Sequence, residues 1–216
     1  MLTTTILAAK CPKLVSPAMN TNMFENQIVQ DNLKKLEGYG FEVIKPAEGY
    51  LACGDTGAGK MPEPETLFNY IIRTIGCDKD MLGKKVLITA GATQEKIDPV
   101  RFITNHSTGK MGRAIAENCM LRGAEVTLVN ASVSVEPPMF VDVVNVTSAA
   151  DMADVVKEKA PEQDIIIMTA AVADFRPSHP ADEKIKKKDS ADDSVIELER
   201  TEDILSYLGA HKEPGQ

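Results

Sequence analysis

The sequence contains no tryptophan, and aromatic residues make up only 5% of it. Aliphatic side chains must therefore build its core. No stretch approaches the roughly 18 consecutive apolar residues that a membrane-spanning helix needs. The first five residues lack the basic region of a secretory signal. We therefore expect no membrane segment and a cytoplasmic protein.

Positive charge and paired cysteines are also scarce. The 24 Lys and Arg against 32 Asp and Glu give a formal net charge of −8, which argues against nucleic acid as a partner. The four cysteines form no Cys-x-x-Cys pair, so reduced thiols are favoured over disulfides or zinc. No metal ligand is predicted.

The sequence divides at a polar segment with two glycines, 76–84, in which we predict residues 77–84 to be a linker. Before it, the pattern predicts the end of a helix at 1–9, strands at 13–16 and 41–44, helices at 25–36 and 65–75, and a Gly- and Pro-rich loop at 46–64. After it, the pattern predicts strands at 86–89, 125–130, 141–146 and 164–169, helices at 110–122 and 148–159, a charged hairpin at 184–199 and a helix near 203–208. This alternation predicts an α/β fold with a parallel sheet.

Two small-residue turns lie between the strand at 86–89 and the helix at 110–122. One contains Gly91, and the other contains Ser107, Thr108 and Gly109. Small residues let backbone N–H groups approach a ligand, and a helix N-terminus favours anions. The pattern predicts a phosphate site, although a turn that only connects two elements would look the same. Asp174 follows the strand at 164–169, so we expect it at the same sheet edge.

Two familiar motifs are imitated but not matched. The segment 54–61 resembles a P-loop, but Met61 stands where the hydroxyl of a Ser or Thr would bind magnesium, and Pro62 follows. The turns at Gly91 and Gly109 are too far apart for a dinucleotide fingerprint, and no Tyr-x-x-x-Lys is present. A short-chain-type NAD(P) oxidoreductase and a non-catalytic phosphate-binding module remain alternatives.

Four motifs occur in order along the chain. They are Pro-Ala-Met-Asn-Thr-Asn-Met at 17–23; Ala-Cys-Gly-Asp-Thr-Gly at 52–57 with Met-Pro-Glu-Pro at 61–64; Thr-Ala-Gly-Ala-Thr at 89–93 with Asp-Pro-Val-Arg at 98–101 and Asn-His-Ser-Thr-Gly-Lys-Met-Gly at 105–112; and Ala-Ala-Val-Ala-Asp-Phe at 170–175 with Glu-Lys-Ile-Lys-Lys at 183–187. The sequence resembles a bifunctional family of coenzyme A biosynthesis, in which phosphopantothenoylcysteine decarboxylase is fused to phosphopantothenate–cysteine ligase.

The resemblance covers essentially the whole chain and implies that the chain is partial. It implies that residues 1–76 are the last part of a flavodoxin-like or Rossmann-like flavin decarboxylase domain. Residues 85–216 would be the first part of a Rossmann-like ligase domain. Small-molecule substrates and homo-oligomers are implied for the full-length protein, with no nucleic acid and no membrane.

For the decarboxylase part, the resemblance implies that FMN oxidises the thiol of phosphopantothenoylcysteine before carbon dioxide is lost. Asn20 would contact the substrate carboxylate near FMN, and Cys53 would supply a proton when the intermediate is reduced. The loop at 52–63 would cover the substrate. From the residues alone, the favoured interpretations are that Asn20 caps a helix and that Cys53 is a small packed residue. The histidine and most FMN-binding loops of the family would precede Met1, so we expect no decarboxylase activity in this part alone and weak or absent flavin binding.

For the ligase part, the resemblance implies that CTP activates the carboxylate of 4′-phosphopantothenate. Pyrophosphate leaves an acyl-cytidylate, which the amine of cysteine attacks. Asn105 would convert this intermediate, Lys184 and Asp174 would bind CTP, and Mg²⁺ is implied without a visible ligand set. The strand end would line the nucleotide through Met168, Thr169 and Ala170. A later turn would also line it, through Glu202, Asp203, Ile204 and Leu205. Phosphate or substrate contacts are implied for Gly91, Ser107, Thr108, Gly109 and Ala171.

Some of these residues have simpler interpretations. The lysines that begin at Lys184 would ordinarily be a solvated basic edge, and only Lys184 is assigned to the site. His106 has no role that we can derive. The later lysines of the ligase family and its dimer-forming segment would follow Gln216.

Overall fold

A computed structural model describes residues 1–185, 195–212 and 215. The chain forms two compact units, Met1–Cys77 and Asp78–Gln216.

The first unit combines four helices with two small sheets. Its elements are α1 (Leu2–Ala8), β1 (Leu14–Val15), α2 (Thr21–Phe24), α3 (Gln27–Gly38), β2 (Glu42–Val43), β3 (Ala47–Tyr50), β4 (Thr56–Lys60) and α4 (Pro64–Ile75). The short β1 and β2 are parallel, whereas β3 and β4 form an antiparallel hairpin. Asn26 caps α3 through the N–H of Ile28, and Pro64 begins α4, where its missing N–H costs nothing.

The hairpin β3–β4 corrects the loop predicted at 46–64. Its glycines favoured a loop, but one of them has a packing role within a strand. Gly59 has φ +124, and an added Cβ would lie 2.2 Å from the carbonyl oxygen of Met19. The N–H of Met19 donates to the carbonyl of Gly59 at 2.9 Å. Glycine therefore lets β4 lie directly against the loop that carries Asn20.

The second unit is built on a four-stranded parallel sheet. Its elements are β5 (Lys85–Ala90), β6 (Gln94–Lys96), β7 (Phe102–Thr104), α5 (Lys110–Leu121), β8 (Glu125–Asn130), β9 (Asp142–Asn145), α6 (Ala149–Lys159) with a 3₁₀ turn (Ala160–Glu162), β10 (Ile165–Met168), β11 (Phe175–Pro177), β12 (Leu198–Arg200) and α7 (Ile204–Ala210). The sheet order is β10-β5-β8-β9, and all neighbouring pairs are parallel. The predicted α/β fold with a parallel sheet is confirmed.

Alternating side chains of β5 supply the two cores of this unit. Val86 and Ile88 face one side, where α5 packs, and Leu87 faces the other, where α6 and α7 pack. All three side chains are fully buried. A capping box begins α6, in which Ser148 and Asp151 each accept a hydrogen bond from the other's backbone N–H. Helices on both faces leave the carboxyl ends of the strands open for a site.

One further part of the second unit differs from the sequence-based expectation, and another is only partly described. The antiparallel hairpin β6–β7 lies between the two small-residue turns and was not predicted, because its three-residue strands carry no clear alternation. The charged hairpin predicted at 184–199 is described only at its two ends, and β12, at the later end, pairs with β11. Residues 186–194 of that prediction lie outside the described residues.

Candidate functional site

A cavity of about 660 Å³ lies at the carboxyl edge of the parallel sheet. Met168 and residues 170–175 form one wall, and residues 200–205 form the other. This cavity brings together most of the residues that the resemblance assigned to CTP: Met168, Ala170, Asp174, Glu202, Asp203, Ile204 and Leu205, with Ala171 beside them. Thr169 does not line it.

Buried threonines hold the first wall in place. The hydroxyl of Thr89 accepts from the N–H groups of Thr169 and Ala170, each at 3.2 Å. The hydroxyl of Thr93 accepts from the N–H of Ala173 at 3.0 Å. Both threonines have no exposed surface. The sequence analysis did not identify this role. The available signal was one threonine near the end of the apolar strand β5 and a second at the end of the turn that follows it.

Asn105 contacts the same wall from the hairpin side. Its side-chain Nδ2 donates to the carbonyl oxygens of Ala171 at 3.4 Å and Val172 at 3.3 Å. The residue is exposed and follows directly after β7. The unpredicted hairpin therefore delivers Asn105 to the strand-end loop.

The glycines of the two turns serve close packing. Gly91 has φ +86, and an added Cβ would lie 2.6 Å from the carbonyl oxygen of Ser132. Gly109 has φ +74 and begins α5, and its added Cβ would lie 2.4 Å from Cγ1 of Val133. The carbonyl of Gly91 also accepts from the N–H of Ala171 at 2.8 Å. The glycine turns and the loop before Asp174 thus share one edge, as predicted.

The remaining residues of the second turn face the chain near 134. The N–H of Ser107 bonds the carbonyl of Asn105, and the carbonyl of Thr108 accepts from the N–H of Ser134. Neither Ser107 nor Thr108 is among the described residues that line the cavity, and the same holds for Gly91 and Gly109.

Two of the three carboxylates on the cavity walls are already engaged. Glu202 accepts from Nζ of Lys157 at 2.5 Å, and this hydrogen bond raises the pKa of the Lys157 ammonium. Asp203 caps α7 by accepting from the N–H of Ser206 at 2.9 Å. The described lining thus carries three carboxylates, Asp174 on one wall and Glu202 and Asp203 on the other, with Arg200 as its cation.

The tip of the β6–β7 hairpin is hydrogen-bonded to the segment that contains Lys184. Asp98 is only 2% exposed, and Oδ1 accepts from the N–H groups of Val100 and Arg101. Oδ2 accepts from the Arg101 guanidinium and from the N–H of Ile185 at 3.2 Å. The guanidinium also donates to the carbonyl of Ile185 at 3.2 Å. The Arg101 guanidinium holds the pKa of the Asp98 carboxyl well below its usual range. Lys184 itself is exposed and is not among the described cavity-lining residues.

The first unit has its own polar cluster. Nδ2 of Asn20 donates to Oδ2 of Asp55 at 2.9 Å and to Sγ of Cys53 at 3.3 Å. The Cys53 thiol lies 3.6 Å from the same carboxylate oxygen. Asn20 also caps α2, because its Oδ1 accepts from the N–H of Asn22. Sequence reasoning proposed Asn20 and Cys53 but missed Asp55, two residues beyond the cysteine in the same motif.

A cavity of about 500 Å³ adjoins that cluster. Residues 18–20, 50–53 and 59–61 line it, so the hairpin β3–β4 and the loop before α2 form its walls. The lining is mostly apolar apart from Asn20, Cys53 and the Lys60 side chain.

Three further observations concern metal ligands, thiols and membrane helices. Over residues 1–185, 195–212 and 215, no group of three His, Cys, Asp or Glu side chains is placed to hold a metal ion. The four cysteines are free thiols, and burial raises the pKa of the Cys119 thiol. Within the described part of the chain, no helix is both long and apolar enough to cross a membrane.

Two family models match the chain, one within each compact unit. Residues 1–76 match the Flavoprotein family, and residues 81–216 match the family DNA/pantothenate metabolism flavoprotein C-terminal domain. The sequence is 46% identical to the coenzyme A biosynthesis bifunctional protein CoaBC of Vibrio vulnificus (strain YJ016), over 99% of this chain and 53% of the relative. It is also 46% identical to the CoaBC protein of Bacillus subtilis (strain 168), over 98% of this chain and 52% of the relative. The chain thus spans about half the length of the curated relatives it matches.

Solved structures show the same relationship. The crystal structure of the C-terminal domain of a CoaBC protein shares 50% sequence identity with this chain. The match covers 62% of this chain and 61% of the chain in the crystal structure, with a TM-score of 0.54. The DNA/pantothenate metabolism flavoprotein from Streptococcus pneumoniae shares 28% identity, covers 60% of this chain and 66% of that chain, and gives a TM-score of 0.51. These matches confirm the predicted resemblance. Because more than half of its residues match, the chain belongs to the DNA/pantothenate metabolism flavoprotein C-terminal domain family.

Proposed function

We propose that this protein acts in coenzyme A biosynthesis, and that residues 85–216 belong to its CTP-dependent phosphopantothenate–cysteine ligase. Residues 1–76 would belong to an FMN-dependent decarboxylase, with 77–84 as the linker. The relatives that carry the coenzyme A biosynthesis name support this assignment. Because the chain spans about half of their length, both activities are proposed for the natural full-length protein.

The cavity at the carboxyl edge of the sheet is the observation that carries the ligase proposal. Its volume of about 660 Å³ lies within the range of small-molecule sites. Three carboxylates, those of Asp174, Glu202 and Asp203, line its two walls against the one cation of the described lining, that of Arg200, so the triphosphate of CTP would not lie there. The nucleoside would lie between residues 170–174 and 200–205, with Asp174 accepting from a ribose hydroxyl. The phosphates would extend toward Lys184 and the N-terminus of α5, which favours anions.

The proposed chemistry has two steps. A carboxylate oxygen of 4′-phosphopantothenate attacks the α-phosphorus of CTP, and pyrophosphate leaves. The amine of cysteine then attacks the acyl carbon, and CMP leaves with the oxygen. Asn105 lies beside the loop that would hold the nucleotide, where its amide can orient the acyl group for this second attack. Mg²⁺ would arrive with the triphosphate, and no residue is assigned to it because the described residues form no ligand cluster.

Pyrophosphate release by the natural full-length protein tests this proposal. We expect release that requires both CTP and 4′-phosphopantothenate, with the amide product appearing when cysteine is added. Asn105→Ala should still release pyrophosphate but accumulate the acyl-cytidylate. Asn118→Ala is the matched control, because Asn118 is exposed on α5 and does not line the cavity. A parent protein that releases no pyrophosphate would refute the ligase assignment.

The Asn20, Cys53 and Asp55 cluster supports the decarboxylase proposal. The mostly apolar cavity beside it fits a substrate side chain against a flavin ring, and Asn20 would contact both. FMN, when bound, would supply the oxidation and reduction of the substrate. Asn20 would hold the substrate carboxylate, and the Cys53 thiol would deliver a proton. We expect Cys53→Ser to abolish 4′-phosphopantetheine formation in the full-length protein, while Cys11→Ser, which changes an exposed cysteine away from the cluster, retains it.

The alternative functions have less support. A nicotinamide cofactor needs a compact glycine turn, but the hairpin β6–β7 stands between Gly91 and Gly109, and both glycines pack against protein atoms. A non-catalytic phosphate-binding module would bind CTP without releasing pyrophosphate. We place the protein in the cytoplasm, which its four free thiols favour, and we expect homo-oligomers on the basis of the family resemblance.

A further inference from the structure

The hairpin β6–β7 bonds three separate segments at the carboxyl edge of the sheet. The N–H of Gln94 donates to the carbonyl of Thr147, and buried Glu95 accepts from the N–H of Ala149. Both contacts are with the start of α6. Thr93, just before β6, accepts from the N–H of Ala173 and so contacts the 171–173 loop. The hairpin tip holds a third segment, 181–185. The hairpin is therefore the part of the fold that sets these segments relative to one another.

The third segment is the one that carries Lys184. It is attached on either side of the lysine. The N–H of Ala181 donates to the carbonyl of Ile97 at 2.9 Å. On the other side, the N–H of Ile185 donates to buried Asp98 and its carbonyl accepts from Arg101. The backbone at 184 is thus fixed within one residue of a buried carboxylate, while the lysine side chain is left exposed.

We propose that Asp98 is a positioning residue that acts through the backbone of Ile185 to hold Lys184 toward the phosphates of CTP. This inference rests on the proposed function. Asp98 is buried with its two oxygens bonded to protein donors, so it does not touch the nucleotide itself. A long lysine side chain loses considerable rotational freedom when it binds a phosphate. Fixing its backbone in advance reduces the freedom that remains to be lost, which favours CTP binding.

The decisive variant is Asp98→Asn, which keeps only one oxygen and no negative charge, and so weakens the attachment of Ile185 either directly at Oδ2 or through Arg101. We expect the KM for CTP in pyrophosphate release to rise about tenfold, by analogy with the loss of affinity when the hydrogen-bond partner of a metal ligand is removed. The KM for 4′-phosphopantothenate should stay within about twofold. A structural defect of the whole unit would instead change both constants together. The matched control is Asp164→Asn, because Asp164, like Asp98, bonds a basic side chain and a backbone N–H, here those of Lys84 and Lys85.

A double-mutant cycle with Lys184→Gln tests whether Asp98 acts through the lysine. We expect Asp98→Asn to add no more than about a twofold change in the KM for CTP once Lys184 is replaced. If the two effects multiply fully, or if Asp98→Asn alone leaves the KM for CTP unchanged, the inference is wrong.

A second variant keeps the test valid if Asp98→Asn does not fold. Ile185→Pro removes the N–H that donates to Asp98 and leaves the pair between buried Asp98 and exposed Arg101 in place. We expect the same selective rise in the KM for CTP, and an unchanged value would overturn the inference. The parent protein separates this outcome from failure of the proposed function: a parent without CTP-dependent pyrophosphate release refutes the function, whereas an active parent with unchanged variants refutes only the role of Asp98.

Discussion

Replacing Gly109 by alanine tests whether the glycine at the start of α5 is needed for close packing. Its φ of +74 is costly for any residue with a Cβ, by about 1–2 kcal/mol. In addition, the new Cβ would lie 2.4 Å from Cγ1 and 3.0 Å from Cβ of Val133. Such overpacking costs about 1–3 kcal/mol in a well-packed region. We therefore expect Gly109→Ala to lower the unfolding free energy of the second unit by roughly 2–5 kcal/mol.

Gly83→Ala is the matched control for the backbone contribution. Gly83 lies in the same unit with φ +77, but nothing lies within 4 Å of its added Cβ. The two substitutions share the conformational cost, so their difference measures overpacking alone. Adding Val133→Ala should partly rescue Gly109→Ala, by about 1 kcal/mol relative to the sum of the single changes.

Hydrogen exchange is the suitable assay because the chain has two units that can unfold separately. The amides of Leu87 and Ile88, in the buried strand β5, report the stability of the second unit alone. Equal losses for Gly109→Ala and Gly83→Ala, or no rescue by Val133→Ala, would refute the packing explanation. The glycine would then have to be explained by ligand approach.

Three further predictions concern other contacts. Ser148→Ala removes one half of the capping box of α6 and should lower the stability of the second unit by about 1 kcal/mol in the same exchange assay, and no loss would contradict the cap. Acid should destabilise that unit through Asp98, because its folded pKa lies below the ordinary value of 3.8: its contribution is complete above 3.8 and is lost as the pH falls through the lower folded value. A melting temperature measured from about pH 5 to about pH 2 should therefore fall less steeply in Asp98→Asn, and parallel curves would exclude this cause. Iodoacetamide followed by mass spectrometry should label exposed Cys11 and Cys53 long before Cys119, whose burial raises its thiol pKa, and early labelling of Cys119 would contradict its placement in the core.

The sequence was most informative where periodicity and sheet geometry act together. The apolar run at β5, the helices and the parallel sheet of the second unit followed from the alternation of strands and helices. Because parallel strands end at one edge, the proximity of the Gly91 turn to the 170–174 loop was predictable as well. The residues of the cavity came from motif resemblance, which periodicity alone does not supply.

Other features were invisible because they depend on partners distant in sequence. β6 and β7 are three residues each, and only contacts with residues near 147, 173 and 185 make them a stable hairpin. Strand β12 has no local signal either, because it pairs with β11, which ends at Pro177, well before β12 begins at Leu198. The hairpin β3–β4 was hidden by its glycines, one of which, Gly59, permits close contact with Met19.

The same limit applies to the side chains of the sites. Asp55 is an ordinary acidic loop residue until folding places it 2.9 Å from Asn20. Thr89 and Thr93 resemble common strand and turn residues, yet their hydroxyls accept from the wall of the cavity. Lys184 was predicted to be in the nucleotide site, and the structure explains how its backbone is held without placing it on the cavity wall.

Mapping CTP binding by hydrogen exchange is the most direct test of the central claim that the strand-end cavity is a nucleotide site. With the natural full-length protein, we expect CTP to protect amides at 168–174 and 200–205, the two walls of the cavity. Amides near Cys53 in the first unit should be unchanged. Binding without protection at either wall, or protection confined to other segments, would contradict the account.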